Sequence, residues 1–308
     1  MIIYSTNKHW LKDITHLFRS WTMTRIIRAV LGIGVYTLAI CAVMAFLLPN
    51  VELDFSASIF SLLGIVLSIL LVFRTNTAYD RWWEGRQQWG ALVNHCRNMA
   101  IMAEATFPRE DLAAKHRLAV LISNYCIALK EHLRSGTKIN ELMLMNDQDQ
   151  ATYPNKEHIP VYISTQIHHL IQHQYKEKRI TGEDILNFKP HLQALLDIAG
   201  ACERIKKTPI PFSYNVYLKI FISAYAMLLP FGLVNDLNFW TIPAVMFLFF
   251  AFIGVQLMAE EIEDPFGLDC NDLPTGTIAE TISKNVFEIL DQKHPKMAVP
   301  EEEYAKVF

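Results

Sequence analysis

The sequence predicts an all-α membrane protein with four transmembrane spans and a large helical cytosolic region. Three segments at 29–48, 55–73 and 239–258 carry no Asp, Glu, Lys or Arg, and about 20 apolar residues are enough for a helix to cross a bilayer. The long segment between the second and third spans shows apolar residues at helical spacing. No run alternates between apolar and polar residues as a half-buried strand would, so a β-sheet is not expected.

The composition is shifted toward that of membrane proteins. Hydrophobic residues make up 52% of the chain and charged residues 19%, whereas soluble domains carry about 45–50% and 25%. The net charge of −3 provides no basic field for nucleic acid. Five cysteines without a CxxC pair argue against a zinc ribbon or a disulfide scaffold. The familiar nucleotide-binding, hydrolase and kinase motifs do not occur, so the chain is not expected to be an enzyme.

The four predicted spans differ in how clearly the sequence indicates them. The first, 29–48, ends at Pro49, and it begins too late and runs too long for a cleaved signal peptide. The second, 55–73, ends at Arg74, and the last is 239–258. The third, 220–234, is short and is interrupted by Pro230. Because only a short turn at 235–238 separates the third span from the last, we interpret the two as a helical hairpin.

Basic residues predict the topology. The short loops at 49–54 and 235–238 contain no Lys or Arg but carry Glu52, Asp54 and Asp236. Since basic residues favour the cytosolic side, both loops are expected outside and both termini inside. The chain then divides into a cytosolic N-terminal segment (1–28), spans 1 and 2 (29–73), a cytosolic helical region (74–211), spans 3 and 4 (212–258) and a cytosolic C-terminal segment (259–308).

The cytosolic region is predicted to begin as a continuation of the second span. A proline-free helix over 56–107 would be about 78 Å long, far more than the ~30 Å hydrocarbon core. Further helical stretches lie at 111–134, 161–178 and 182–206, and 146–160 is polar and turn-rich. His168, His169 and His173 are close in sequence. They lack an adjacent acidic or Cys ligand, so we interpret them as a solvated helix face rather than a metal site.

One stripe of the second span has two interpretations. Ile65, Ile69 and Phe73 recur every four residues, beside the small residues Gly64 and Ser68. Small residues let helices pack closely while apolar residues face lipid. Alternatively, several copies of the chain surround an axis, and the stripe forms apolar rings that gate by dewetting. Periodicity alone does not choose between them.

Three local segments carry a resemblance to a known family. They read FRTNTAYDRWWEGRQQW at 73–89, TPIPFSY at 208–214 and AEEIEDPFGLDCNDLP at 259–274. With Arg81-Trp82-Trp83 after the second span and the Asp264-to-Gly267 turn after the fourth, the chain resembles the bestrophin family of ion channels, in its bacterial branch, over roughly residues 20 to 290. The resemblance implies a homopentamer in the bacterial inner membrane, with a central pore for monovalent ions and a long cytosolic vestibule.

The resemblance also implies two constrictions of the pore. Counted back from Arg81, the family's three neck rings fall on Ile65, Ile69 and Phe73. Animal members typically have Phe at the middle ring, where Ile69 stands here. A second constriction at the cytosolic exit is expected within 180–185, with Glu183 the best match; an off-axis, solvated Glu183 is the alternative.

An acidic cluster follows the fourth span. Glu261, Asp264, Asp269 and Asp272 match positions where animal bestrophins bind calcium, and Ca²⁺ prefers six to eight oxygen ligands. Two of them depart from the animal pattern, since Glu261 replaces Gln and Asp264 replaces Asn. The alternative is an acidic turn that ends the span. Calcium is therefore a candidate ligand, and no other cofactor is expected.

Selectivity is predicted from the external loops. Their three acidic residues per chain would place up to fifteen carboxylates at the mouth of a pentamer, which enriches cations. Animal bestrophins resemble anion channels and bacterial ones cation channels, so monovalent cation selectivity is expected. The competing hypothesis is a non-conducting membrane scaffold whose cytosolic helices bind a partner protein. Ile69→Ala distinguishes the two, because only a gate residue should affect ion flux.

Overall fold

The computed structural model describes residues 21–48, 57–143, 152–269 and 271–295. This part of the chain is helical and contains no strand, which confirms the all-α class. Short 3-10 turns lie at Ile139–Glu141, Tyr153–Asn155 and Asn238–Trp240, and a π-helical turn at Val43–Leu47 ends the first helix. The helices are α1 (Trp21–Ala42), α2 (Ala57–Thr106), α3 (Leu112–His132), α4 (Ile159–Lys176), α5 (Gly182–Lys207), α6 (Phe212–Leu237), α7 (Thr241–Ile262) and α8 (Thr275–Ile289).

Helix α2 is the axis of the fold. It runs for 50 residues without a break, a length of about 75 Å at 1.5 Å per residue. The expected continuation of the second span is therefore confirmed. The sequence explains it, since α2 contains no proline and its apolar first half passes directly into a charged and amide-rich second half. One helix thus belongs to both parts of the molecule.

The apolar part consists of α1, the first half of α2, α6 and α7. Within the described residues, three helical stretches are long and apolar enough to cross a membrane, at Thr22–Leu47, Ser58–Thr106 and Phe212–Ile262. The last stretch folds back on itself as a hairpin of α6 and α7: Lys219 near its start pairs with Glu260 near its end. Tyr225 and Phe252 meet edge to face halfway along, with ring centroids 5.7 Å apart.

The expected hairpin is present, but its details differ. Helix α6 extends from Phe212 to Leu237 and includes Pro230, so the helix is longer than the predicted third span, 220–234. The turn lies at Asn238–Trp240 rather than 235–238, and Asn238 takes a positive φ of 49°. Asn tolerates this conformation better than most residues. The side chain of Asp236 is exposed in the last turn of α6.

The second part of the molecule packs around α3. Every residue of α3 from Leu118 to Glu131 is buried, because α2, α4, α5 and α8 surround this helix. Helix α5 runs antiparallel to α2. Phe188 near its start contacts Phe107 at the end of α2, whereas Arg204 near its end pairs with Glu84.

Local sequence sets the starts of these helices. The Asp111 carboxylate accepts the amide hydrogen of Ala114 and caps α3. Thr181 and Asp184 form a reciprocal capping box at the start of α5, which satisfies amides that have no partner within the helix. The loop residues Glu52 and Asp54, the segment 1–20 and the tail 296–308 lie outside the described residues.

Candidate functional site

The three predicted neck residues project from one face of α2. Ile65, Ile69 and Phe73 are 59%, 51% and 62% exposed, whereas Leu67 and Leu71 on the opposite face are buried at 0% and 3%. The stripe therefore points away from α6 and α7, which pack on the other side of the helix. Large apolar side chains this exposed need lipid, another copy of the chain or a dewetted pore around them.

The exposed face continues along the whole of α2. Positions spaced three, four or seven residues apart stay within one narrow sector of a helix, and exposed side chains occupy that sector from the first turns to the last. Its composition changes after Phe73, where amide and carboxylate side chains replace most of the apolar ones. These polar members are Asn76, Asp80, Gln87, Asn94 and Asn98.

Arg81 joins three segments just below the neck. Its Nε donates to the carbonyl of Glu263 at 3.0 Å, and its Nη atoms donate to the carbonyls of Ile205 and Thr208, each at 2.5 Å. The last carbonyls of a helix have no partner inside it and carry partial negative charge. One guanidinium thus ties α2 to the ends of both α5 and α7.

The two tryptophans that follow have different environments. Trp82 donates its Nε1 hydrogen to the carbonyl of Asn271 at 3.0 Å, so it holds the segment after α7 against α2. Trp83 is 47% exposed on the continuous face of α2. Within the triplet, Arg81 therefore binds the ends of α5 and α7, Trp82 binds the segment after α7, and Trp83 lies on the exposed face of α2.

A buried ion pair lies beside the last neck residue. Arg74 Nη2 and Glu263 Oε2 are 2.5 Å apart, and the Arg74 side chain is fully buried. The second carboxylate oxygen of Glu263 accepts the amide hydrogen of Ile210 at 2.7 Å. Buried charges need such partners because desolvation is otherwise costly. Sequence analysis did not single out this pair, since its members lie 189 residues apart.

The turn after α7 packs tightly against α2. A Cβ on Gly85 would lie 3.2 Å from the Phe266 ring, so a larger residue there would push the turn away. The Phe266 carbonyl accepts a hydrogen from Arg134 Nε at 3.1 Å. A Cβ on Gly267 would lie 2.6 Å from the Asp272 carboxylate. Glycine at both positions lets the acidic segment close on itself and on α2.

The acidic segment brings carboxylates together. The charges of Glu261 and Asp264 act on both Asp269 and Asp272. Asp272 is fully buried; its Oδ2 accepts the amide hydrogen of Asp269 at 2.7 Å, while its Oδ1 has no hydrogen-bond partner among the described residues.

Burial and the neighbouring carboxylates shift two pKa values in this segment. Burial, followed by the charges of Asp269, Asp264 and Glu261, raises the pKa of Asp272 to about 7, although the amide of Asp269 acts in the opposite direction. Burial and the charges of Glu261 and Asp264 also raise the pKa of Asp269. A bound cation would relieve this repulsion.

Two of the four acidic residues are bound by side chains of other helices. Glu261 accepts a hydrogen bond from Thr22 on α1 at 3.1 Å, and Asp264 forms an ion pair with Lys206 on α5 at 2.5 Å. The carboxylates of Asp269 and Asp272 are therefore the two that are more available to a bound cation. The segment thus has oxygen ligands suited to a hard cation, but the ion pair of Asp264 competes with such a role.

Glu183 lies at the opposite end of the molecule. It is exposed in the first turn of α5, and since α5 is antiparallel to α2, it lies beside the C-terminal end of α2. The distance along α2 from Phe73 to this end is about 50 Å. Its neighbour Asp184 is held in the capping box. Glu183 is therefore the carboxylate of this turn that the cap does not use, far below the neck.

The family model for bacterial and fungal bestrophin proteins matches residues 1–288 of this chain. The chain belongs to the bestrophin family. The bestrophin resemblance inferred from the Arg-Trp-Trp and Asp-Pro-Phe-Gly segments is thus confirmed, and the match extends over more of the chain than those segments do. The bestrophin family is one of ion channels rather than enzymes, which supports an ion-channel function for this chain.

Curated relatives cover nearly the whole bestrophin chain. A protein named voltage-dependent anion channel-forming protein from Nostoc sp. is 34% identical over 293 residues, 92% of each chain. A protein of the same name from Escherichia coli is 26% identical and covers 98% of this chain and 99% of the relative. These names contrast with the predicted cation selectivity.

The fold is shared with solved bestrophins. The crystal structure of a bacterial bestrophin homologue from Klebsiella pneumoniae is 26% identical, has a TM-score of 0.80, and matches 87% of this chain and 99% of that one. A crystal structure of a single-substitution variant of the Klebsiella homologue is 27% identical, also with a TM-score of 0.80, and matches 87% of this chain and 100% of that one. The helical arrangement described above is therefore that of the family.

Proposed function

We propose that five copies of this chain surround a central pore, with the exposed face of α2 from each copy lining it. The observation that carries this proposal is the continuity of that face: one unbroken helix presents Ile65, Ile69 and Phe73 and then a polar surface reaching Asn98. In a pentamer the apolar segment forms a narrow neck and the polar segment a hydrated vestibule. A lipid-facing stripe would not need the polar continuation.

The neck acts as a hydrophobic gate. Rings of Ile65, Ile69 and Phe73 offer an ion no polar ligands, so water leaves the constriction and conduction stops when it is narrow. The neck conducts when it widens. Isoleucine at the middle ring makes that barrier smaller than an aromatic ring would.

The membrane placement follows from basic residues and helix lengths. We propose four spans in the bacterial inner membrane, formed by α1, the first half of α2, α6 and α7. Basic residues flank these spans on the side of α3, α4 and α5, which supports a cytosolic location for both termini and for the helical region. The domain limits 1–28, 29–73, 74–211, 212–258 and 259–308 are part of this proposal.

The pore is proposed to prefer monovalent cations. Asp80 lies on the exposed face of α2 two turns below Phe73, and five such carboxylates would raise the local cation concentration. Asp236 is exposed at the other end of the spans and adds to the same field. The names of the curated relatives favour anion selectivity, and the reversal potential separates the two.

Calcium at the acidic segment is the second part of the proposal. Asp269 and Asp272, with Glu261 and Asp264, offer oxygen ligands directly after α7. The buried oxygen of Asp272 that has no partner among the described residues supports a bound cation. Because this segment packs on α2 below the neck, a cation there would act on the position of the pore-lining helix.

The decisive experiment compares two alanine variants in a planar bilayer under a salt gradient. Ile69→Ala should raise the ion current, because the smaller side chain widens the apolar ring at this position. Ile59→Ala is the matched control, because Ile59 is similarly exposed but lies about 80° around the helix from Ile69. Measurable currents that are equal in both variants and the parent would contradict the proposal that Ile69 forms part of a gating neck. No current from any of them would favour the membrane scaffold.

A further inference from the structure

Two histidines and a glutamate converge within the cytosolic helical region. His132 is the last residue of α3, His158 caps the start of α4, and Glu203 lies near the end of α5. Glu203 Oε1 is 3.0 Å from His132 Nε2 and 2.6 Å from His158 Nε2. The two imidazole rings are 4.4 Å apart. All three elements thus direct nitrogen and oxygen atoms to one point.

The geometry fits a tetrahedral metal. The three donor atoms lie within 4.8 Å of one another. Zinc–ligand bonds of about 2.0–2.2 Å in a tetrahedron separate neighbouring ligand atoms by about 3.3 Å, so each contact needs to change by no more than about an ångström and a half. All three side chains are partly exposed, which gives an ion a route in and the side chains room to move.

The three side chains of the cluster affect one another electrostatically. Burial alone would raise the pKa of Glu203, but hydrogen bonds from His158, Lys207 and His132 outweigh it and lower the pKa to about 2. Burial and the nearby His158 lower the pKa of His132. Metal ligation requires an ionised carboxylate and neutral imidazoles, so zinc binding would release any proton that the two rings carry. Lys207 Nζ holds the other carboxylate oxygen at 3.1 Å and orients the group.

We propose that His132, His158 and Glu203 bind one Zn²⁺ per chain, with a water molecule as the fourth ligand. Two imidazoles and one carboxylate are a known zinc ligand set, and they also accept other late divalent metals in the order of their intrinsic affinities. Binding moves the proton of each neutral imidazole from Nε2 to Nδ1. For His158 this exchanges the 3.3 Å hydrogen bond from the Val161 amide for a metal bond.

A bound zinc would connect α3, α4 and α5 at one point. These helices otherwise meet through apolar packing around α3 and through hydrogen bonds from Tyr125 to the Leu195 carbonyl and from Gln174 to Asp111. The site shares no residue with the exposed face of α2 or with the acidic segment after α7, so it can be occupied or removed independently of both. We expect it to stabilise the cytosolic region.

Variants can be chosen to preserve the fold. His158→Asn removes the imidazole but supplies one of the best N-cap residues for α4, and Glu203→Gln keeps the shape of the side chain. The matched control is His169→Asn, since His169 lies exposed on the same helix and outside the cluster. All variants are compared as purified full-length protein whose oligomer size and helicity match the parent.

The experiment measures Zn²⁺ affinity by competition with a chromophoric chelator and zinc content by mass spectrometry. We expect one zinc per chain in the parent and in His169→Asn. His158→Asn and Glu203→Gln should bind more than about tenfold more weakly, because losing only an outer-sphere partner already costs about 10–100-fold. X-ray absorption should show nitrogen and oxygen neighbours, with no sulfur.

Three results would overturn the proposal: no zinc bound by the parent at micromolar concentrations, unchanged affinity in His158→Asn and Glu203→Gln, or loss of zinc in His169→Asn alone. The last result would place the metal on the exposed histidines of α4. Each readout is independent of ion conduction, so it does not depend on the proposed pore.

Discussion

Arg74 and Glu263 form an ion pair, 2.5 Å between Nη2 and Oε2, at the point where the apolar part of the molecule meets the helices that surround α3. Among the described residues, Nε and Nη1 of Arg74 have no hydrogen-bond partner. The charge of this buried guanidinium is therefore balanced chiefly by Glu263. The pair fixes α2, directly after Phe73, to the end of α7 and to the Ile210 amide.

Glu263→Gln should strongly destabilise the protein. Removing one member of a buried pair leaves the other charge uncompensated, at a cost of about 3–5 kcal/mol. Thermal unfolding of the detergent-solubilised protein measures the change. Glu260→Gln is the control. Glu260 pairs with Lys219, both side chains of this pair are exposed, and exposed pairs contribute about 0–1 kcal/mol. Equal shifts in the two variants would show that Arg74 has other compensation.

Asp80→Asn should reduce cation preference. If five Asp80 carboxylates line the vestibule, removing them lowers the local cation concentration and moves the reversal potential toward that of chloride. Glu280→Gln, on α8 and already ion-paired with Lys284, should leave the potential unchanged. A parent channel whose potential already follows chloride would instead agree with the names of the curated relatives and overturn the predicted selectivity.

Glu183→Gln tests the second constriction. A ring of glutamates at the cytosolic end of the pore would concentrate cations, so the amide should lower both cation preference and inward conductance. Conductance and reversal potential are measured at low ionic strength, where charge effects are largest. Values unchanged from the parent would place Glu183 outside the pore.

Stability should fall as the pH rises from about 4 toward 7. The Asp272 pKa is raised to about 7 in the folded protein, whereas an unfolded Asp has a value of about 3.9. Between these values the folded state binds more protons, so its stability decreases with pH until the folded carboxyl has lost its proton. Asp269, whose pKa is also raised, acts in the same direction. Asp272→Asn should flatten the dependence of the melting temperature on pH. An unchanged slope would show that other groups cause this pH dependence.

Calcium should stabilise the parent at pH 8 more than at pH 5. At the higher pH the carboxylates of Asp269 and Asp272 are ionised and repel each other, and a divalent cation removes that repulsion. The melting temperature is measured in millimolar Ca²⁺ and, for comparison, in Mg²⁺. Asp272→Asn should lose most of the calcium-dependent rise. If the parent shows no rise at all, the segment is an acidic turn that ends α7.

The sequence allowed prediction of the elements whose signals are local. Helix α2 follows from a proline-free run, and the predicted helical stretches at 111–134 and 182–206 correspond to α3 and α5. The length of α6 was not predictable, because packing against neighbouring helices outweighs the cost of Pro230 inside it. The turn at Asn238 depends on one residue with positive φ, which composition does not reveal.

The site was less predictable because its partners are distant in the chain. Periodicity identified Ile65, Ile69 and Phe73 as one face, and only the fold showed that this face is exposed and continues to Asn98. Arg74 and Glu263 gave no spacing signal. Glu203 lies 71 residues from His132 and 45 from His158, so attention to local histidine spacing selected His168, His169 and His173 instead.

The unbroken course of α2 makes its exposed face one continuous surface. Arg74, Arg81 and Gly85 hold one stretch of the helix against α7, the end of α5 and the Phe266 turn. Phe73 lies about 12 Å from Arg81 along the helix, and Thr106 lies about 37 Å from Arg81 in the other direction. A tilt of α2 about this anchored stretch would therefore displace Thr106 about three times as far as Phe73. The part of the helix that carries Phe73 is thus held more closely than the end that carries Thr106.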